Sequence, residues 1–149
     1  MGLFKGKRVN AQTEGTHLTI DALVEESDLL FDEKLLVDLL HETVDLVGMK
    51  VLVPAKMIKV DLDSSKTGKD DGDDGGITGV AILNTSHVSI HTWPLTNRFA
   101  FDLYSCRVFD ATLVFNLLKV GLGITDATVK VNSRRSPKNK SGVNWFYTE

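Results

Sequence analysis

The chain has 149 residues, 42% of them hydrophobic and 25% charged, which fits one compact domain spanning residues 1–149. It has no apolar run long enough to cross a membrane, and the basic start, residues 1–8, lacks the apolar stretch of a signal peptide. We therefore expect a cytoplasmic protein without a membrane partner. The single cysteine, Cys106, excludes an internal disulfide and a site made of several thiolates, and we expect no metal.

The first half of the chain predicts a strand, a helix and a second strand. Residues 17–23 have the character of a strand, and apolar residues then recur at helical spacing between Asp32, a suitable N-cap, and Gly48, a suitable stop. Residues 50–62 are rich in β-branched side chains around a proline, which favours an edge strand or a bent strand. The acidic, glycine-rich residues 63–76 predict a loop.

The second half predicts an antiparallel meander, a helix and a last strand. The meander strands and their connecting turn are residues 77–84, 86–93 and 98–105, with the turn at 94–97. The helix begins at an Asp110 cap and ends near Gly121 or Gly123, and residues 127–131 return as a strand. The order β-α-β-β then β-β-α-β predicts an α+β fold, a two-layer α/β sandwich with a mostly antiparallel sheet and two helices on one face.

One stretch, residues 84–94, carries more polar and aromatic side chains than a strand needs. Its sequence, NTSHVSIHTWP, combines histidines, hydroxyl groups and a tryptophan. Each of these side chains alone fits an ordinary structural role, such as an exposed histidine or a Trp-Pro pair that anchors a turn. Their density in one predicted strand indicates a functional site.

The stretch that begins at Ser86 resembles the signature of the prokaryotic S-adenosylmethionine decarboxylases. That signature is Ser-His-x-x-Ile-His-Thr-Trp-Pro-Glu, followed by a cysteine twenty positions after the serine, and Cys106 stands at this distance from Ser86. Further likeness to the family lies in residues 15–21, 78–80 and 101–103, so the resemblance covers most of the chain.

The resemblance implies a pyruvoyl-dependent decarboxylase that cuts itself between Thr85 and Ser86. The products are a β chain of residues 1–85 and an α chain of residues 86–149. In the implied chemistry, Ser86 Oγ attacks the Thr85 carbonyl to form an ester, and a base removes the Ser86 α-proton so that the ester is eliminated. The resulting dehydroalanine loses its nitrogen as ammonia by hydrolysis, which leaves a pyruvoyl group. This self-made cofactor forms a Schiff base with the substrate amine, so no added cofactor is expected.

The family also implies roles for three other side chains. His91 corresponds to the base of the processing reaction, and Thr78 stands where the family has a serine that assists it. We call His91 and Thr78 the processing pair. Cys106 corresponds to the proton donor that acts on the substrate carbon after decarboxylation.

Strand geometry predicts where these residues lie. A hairpin that turns near Leu95 pairs residues whose numbers sum to about 190, which sets Tyr104 opposite Ser86 and Cys106 one diagonal step away. His91 is five residues from Ser86, roughly 16 Å along a strand, and on the other face of the sheet. We therefore predict a homodimer with two shared active sites, in which the processing pair of one subunit acts on its partner, as the family also implies.

Two positions differ from the family pattern and bear on the substrate. Thr85 replaces the usual glutamate before the cleavage point, and Leu95 replaces a glutamate that accepts hydrogen bonds from ribose hydroxyls in the family. The remaining candidate substrate contacts are Trp93 of the motif and Asp73 and Asp74 of the acidic loop, which suit a positively charged substrate. We favour L-ornithine or L-arginine, relatives of this family being known with those substrates, and a role in polyamine biosynthesis; the alternative substrate is S-adenosylmethionine.

Two other classes of function compete with an active enzyme. The changes at Thr85 and Leu95 suit an uncleaved, inactive homologue that serves as a binding or regulatory protein. The tail offers a basic patch for nucleic acid, made of Arg134, Arg135, Lys138 and Lys140. Because the net charge is -3 and no aromatic platform accompanies the patch, we expect no nucleic-acid partner.

Overall fold

The computed structural model describes residues 15–61 and 75–135, together with residues 143 and 145. In chain order the elements are β1 (Gly15–Val24), α1 (Glu33–Val47), β2 (Val51–Val60), β3 (Gly76–Leu83), β4 (Ser86–Trp93), β5 (Arg98–Ser105), α2 (Ala111–Leu122) and β6 (Ile124–Arg134). Two short 3-10 helices, Ser27–Phe31 and Pro94–Thr96, were not predicted. The predicted order of strands and helices is confirmed.

Both helices begin and end where side-chain and backbone chemistry allow it. The carboxylate of Asp32 accepts an N–H of the first turn of α1 at 3.0 Å, and that of Asp110 does the same for α2 at 2.9 Å. Gly48 and Gly123 close the two helices with φ of 67°, a conformation that glycine adopts without strain. Within the described residues, neither helix is long and apolar enough to cross a membrane.

The strands form a single six-stranded sheet in the order β2-β3-β4-β5-β1-β6, and each neighbouring pair is antiparallel. Alternate side chains of the sheet share one hydrophobic core with both helices, which therefore cover one face. On β4 this covered face carries Ser86 and Thr92. The other face, which carries His87, His91 and Trp93 of β4, is called the open face below.

Strand β2 lies at the edge of the sheet, as its proline predicted. The pairing of β2 with β3 shifts register twice, first between Val51 and Val53 and then between Val53 and Lys56. The second shift spans Pro54. Beside this irregularity, the Ala55 N–H donates to Nε2 of His41, in helix α1, at 3.0 Å. Helix α1 thereby satisfies a backbone group that the interrupted ladder leaves unpaired.

Thr92 belongs to the motif, and its side chain links three elements of the fold. The side chain is buried, and its Oγ1 accepts the Ile77 N–H at 2.9 Å and donates to the Leu30 carbonyl at 3.0 Å. Leu30 lies in the first 3-10 helix and Ile77 in β3. The Thr92 hydroxyl therefore has a structural role in this chain.

We expect Thr92→Val to destabilise the protein. Valine keeps the shape but leaves two buried backbone groups unpaired, which lowers the free energy of unfolding by about 2 kcal/mol or more. Urea denaturation in a Ser86→Ala background, where every chain stays uncut, measures the change. The control is Thr128→Val, an exposed position whose hydroxyl makes no hydrogen bond within the described residues, where a change within about 0.5 kcal/mol is expected; equal effects at the two positions would contradict the prediction.

Candidate active site

The hairpin between β3 and β4 places Ser86 at one end of the sheet. Leu83 pairs with Ser86, so the connection consists of Asn84 and Thr85 alone. Ser86 is 7% exposed, on the covered face, and its Oγ accepts the backbone N–H of Cys106 at 3.0 Å. The predicted nucleophile and the predicted proton donor are therefore neighbours.

The register that produces this contact differs by one residue from the prediction. Tyr104 lies opposite His87 rather than Ser86, and the paired residue numbers of β4 and β5 sum to 191. The turn is a 3-10 helix, Pro94–Thr96, closed by Asn97 with φ of 52°. This turn separates β4 from β5 by four residues, which fixes the register.

Thr85, predicted only as the residue before the cut, makes two contacts of its own. Its Oγ1 lies 2.7 Å from the Asn84 carbonyl oxygen and 3.1 Å from Sγ of Cys106, with the hydroxyl as donor. Its backbone is left-handed, with φ of 56°. That conformation costs an L-residue roughly 1–2 kcal/mol, and β-branching makes threonine one of the less suitable residues for it.

The thiol of Cys106 is exposed and electrostatically tuned by this hairpin. The hydrogen bond from Thr85, and after it the one with Ser86, lowers the pKa of Cys106 below its ordinary value, because both favour the thiolate. Burial acts in the opposite direction with less effect. The thiol therefore gives up its proton more readily than that of an ordinary cysteine.

This tuning predicts the pH dependence of Cys106 alkylation. Iodoacetamide reacts with the thiolate, so half-maximal reaction should come at a lower pH than in a cysteine peptide. Replacing Thr85 by Val in a Ser86→Ala background should move that midpoint up, towards the peptide, since the first cause of the lowered pKa is removed. Mass spectrometry reports the rate without interference, because the chain has one cysteine. An unchanged midpoint would show that Thr85 does not tune the thiol.

The processing pair forms a second cluster, towards the other end of β4. Thr78 of β3 lies opposite His91, and its Oγ1 is 3.1 Å from Nδ1 of the histidine. Both side chains are half-buried on the open face. The Trp93 ring lies 6.3 Å from the His91 ring, and the Arg98 guanidinium stacks on Trp93 at 4.3 Å.

One chain does not bring the two clusters together. His91 is roughly 16 Å from Ser86 along β4, and the two side chains lie on opposite faces, as predicted. Leu95, 65% exposed, follows at the end of β4 where Trp93 lies. Asp73 and Asp74 lie outside the described residues. In the part of the chain that is described, no three His, Cys, Asp or Glu side chains converge to hold a metal.

The open face combines a polar pair with exposed aliphatic side chains. His17 Nε2 lies 2.8 Å from the Asp102 carboxylate, an interaction between β1 and β5 that the sequence did not reveal. We call Ile58, Val80 and Ile82 the aliphatic patch, and they are 65%, 41% and 47% exposed. Thr78 lies on the same face, because its side chain alternates with Val80 and Ile82 along β3.

Comparison with known proteins matches these features to one family. The family model described as S-adenosylmethionine decarboxylase matches residues 16–135. The arginine decarboxylase proenzyme of Ignicoccus hospitalis is 28% identical over 137 residues, 91% of this chain and 88% of that protein. The S-adenosylmethionine decarboxylase proenzyme of Saccharolobus islandicus is 31% identical over 112 residues, 74% of this chain and 80% of that protein.

A solved structure supports the fold. The adenosylmethionine decarboxylase of Aquifex aeolicus superposes with a TM-score of 0.65 at 22% identity, over 89% of this chain and all of that one. The architecture predicted from the element order is thus confirmed. The family match spans most of the chain, and the relatives are named as proenzymes. The chain therefore belongs to the S-adenosylmethionine decarboxylase family, whose members are pyruvoyl-dependent decarboxylases that form their cofactor from a serine by self-cleavage.

Proposed function

We propose that this chain cuts itself between Thr85 and Ser86 into chains 1–85 and 86–149, and that Ser86 supplies the pyruvoyl group of an amino-acid decarboxylase. The observation that supports this most directly is the meeting of Ser86 with Cys106 at the end of the β3–β4 hairpin. Hydrogen bonds join Cys106 to the residues on both sides of the proposed cleavage bond, Thr85 and Ser86. The nucleophile, the peptide bond and the thiol therefore lie close together.

The contact with Cys106 prepares Ser86 for attack. Since Oγ accepts the Cys106 N–H, that bond fixes the position of the oxygen, and the hydroxyl keeps its own proton to give to a base. The attack joins Oγ to the carbonyl carbon of Thr85. The bond from that carbon to the Ser86 nitrogen breaks, and the nitrogen leaves as an amine with a proton.

His91 is suited to remove protons from Ser86 when Thr78 holds its ring. In the tautomer whose Nδ1–H donates to Thr78 Oγ1, the other nitrogen, Nε2, is unprotonated and accepts a proton. In that arrangement the hydroxyl of Thr78 fixes the orientation of the His91 ring and leaves Nε2 to act as the base. This is the assisting role expected at this position.

A second copy of the chain is needed to bring the base to Ser86, because His91 of the same chain lies far along β4 and on the other face. In a two-fold dimer, the two β4 strands run past each other. The His91 end of one strand then lies beside the Ser86 end of the other, and the symmetry creates two equal sites. The aliphatic patch supports this pairing, because three large apolar side chains on one sheet face favour a covered surface. We therefore propose a homodimer with shared active sites.

The pyruvoyl ketone would supply an electron sink for the departure of carbon dioxide. Cys106 stands within reach of that position and carries an exposed thiol, so it is suited to deliver a proton to the substrate carbon. Its lowered pKa makes this proton easier to release. Ser86, at the first position of β4 with its Oγ held by the Cys106 backbone, fits the place of the group.

We propose L-arginine or L-ornithine as substrate, in polyamine biosynthesis. Where the family has a glutamate that accepts hydrogen bonds from the ribose hydroxyls, this chain has Leu95, whose side chain has no hydrogen-bonding group. A site without that acceptor loses its selectivity for a nucleoside. The relative from Ignicoccus hospitalis is named for arginine. S-adenosylmethionine is the second candidate, supported by the name of the Saccharolobus islandicus relative.

Release of labelled carbon dioxide from each of the three compounds tests the substrate. We expect arginine or ornithine to have a kcat/KM at least about tenfold above that of S-adenosylmethionine. The variant Leu95→Glu restores the acceptor and should raise kcat/KM for S-adenosylmethionine relative to the basic amino acids. Turnover of S-adenosylmethionine alone would contradict the substrate proposal. If the cut protein turns over none of the three compounds, the proposal of an enzyme that acts on them is contradicted.

A further inference from the structure

The turn that contains the proposed cleavage bond has an unusual backbone for its length. Two-residue hairpin loops favour the turn types I′ and II′, and both require positive φ at the first loop residue. Among the described non-glycine residues, only Thr85 and Asn97 have positive φ, so the first loop residue, Asn84, does not. The left-handed residue of this loop is the second, Thr85, at 56°.

Threonine is a poor choice for that conformation. Glycine adopts it freely and asparagine tolerates it, as Asn97 does in the next hairpin, whereas a β-branched residue there is an outlier. The surroundings nevertheless hold Thr85 in place. Leu83 and Ser86 pair on either side of the loop, and the Ser86 side chain is bonded to the Cys106 backbone. Such enforced strain is a recurrent feature of functional sites.

We propose that the left-handed backbone of Thr85 is a strained ground state that accelerates self-cleavage at the Thr85–Ser86 bond. This inference rests on the proposed self-cleavage. Attack by Oγ replaces the link through the Ser86 nitrogen by a link through Cβ and Oγ, which is one atom longer. The hydroxyl proton passes to the base, and the nitrogen departs with a proton as the amine. The longer connection frees Thr85 from the tight loop, so the strain falls as the ester forms.

Two substitutions at Thr85 separate strain from the effect of its hydroxyl group. Thr85→Gly removes both, and Thr85→Val removes the hydroxyl while keeping a β-branched, strained residue. Asn97→Gly is the matched control, because it relieves the other left-handed residue in a hairpin without the cleavage bond. Each full-length chain is made as a labelled pulse by cell-free translation, and its conversion to the two products is followed on denaturing gels.

We expect Thr85→Gly to be cut about tenfold more slowly than the unaltered chain, which corresponds to about 1.4 kcal/mol in the barrier. Thr85→Val should be cut faster than Thr85→Gly, because it keeps the strained, β-branched residue, and Asn97→Gly should be cut as fast as the unaltered chain. In a Ser86→Ala background, where all chains stay uncut, Thr85→Gly should also raise the melting temperature, since the strain is removed from the folded state.

Each contrary outcome has a distinct meaning. If the unaltered chain is cut and Thr85→Gly is cut equally fast, the strain inference fails and the proposed function stands. If Thr85→Val is as slow as Thr85→Gly, the hydroxyl contact with Cys106 is responsible and the strain inference fails. If the unaltered chain is never cut, both the proposed function and the inference fail.

Discussion

The Ser86→Ala variant is expected to remain one chain of 149 residues, while the unaltered chain separates under denaturing conditions into chains of 85 and 64 residues (149 minus 85). Alanine has no oxygen to attack the Thr85 carbonyl and no leaving group on its β-carbon, so neither the ester nor the pyruvoyl group forms. Release of carbon dioxide should then be lost completely. Intact-mass measurement distinguishes the two results directly.

The smaller product carries a further signature. Its first residue should resist amino-terminal sequencing, and its mass should be below that of a fragment headed by serine, because the amine has been replaced by a ketone. Ser89→Ala is the matched control, since Ser89 lies on the same strand but on the open face, and it should be cut normally. An unaltered chain that persists intact through long incubation would instead favour the inactive homologue with a binding role.

The fold was predictable because its local signals are strong and agree with one another. The caps Asp32 and Asp110 and the stop Gly48 set the helix limits within a residue or two. The proline in β2 indicated an edge strand, and the alternation along the meander indicated antiparallel neighbours. These signals depend on adjacent residues, so they are legible without knowledge of the tertiary structure.

The register of β4 against β5 was wrong by one residue, because it depends on the conformation of a turn. The turn occupies residues 94–97 as predicted, but its centre lies between Leu95 and Thr96 and not at Leu95, which moves the pairing by one residue. Contacts between residues far apart in the chain were missed as well. The hydroxyl of Thr85 reaches Cys106 across 21 residues, and that of Thr92 reaches Leu30 across 62.

The motif and its spacing predicted Ser86, His91 and Cys106 as site residues, and their roles stay predictions. Their places in the fold were partly foreseen, because alternation along the strand puts Ser86 and His91 on opposite faces. The left-handed backbone of Thr85 could not be foreseen, because a positive φ is enforced by the pairing of both strands around the loop.

Co-expression of His91→Ala with Ser86→Ala is expected to restore fast cleavage, which neither variant shows alone. In a mixed dimer the Ser86→Ala subunit supplies an intact His91 to the serine of the His91→Ala subunit, so one of the two sites is complete. Random pairing of equal amounts should leave about half of the His91→Ala chains cut. The His91→Ala chain alone should be cut roughly 10²–10⁴-fold more slowly than the unaltered chain, the usual contribution of a general base.

A double variant provides the decisive control for this complementation. When His91→Ala is co-expressed with Ser86→Ala/His91→Ala, mixed dimers contain no intact histidine, and cleavage should stay at the level of His91→Ala alone. A size tag on one variant identifies which chain is cut. If mixed dimers are isolated and the His91→Ala chain remains whole, the base does not act across the interface. His91 cannot act on Ser86 of its own chain either, because the two residues are roughly 16 Å apart along β4 and their side chains lie on opposite faces. The chain would then need a base other than His91.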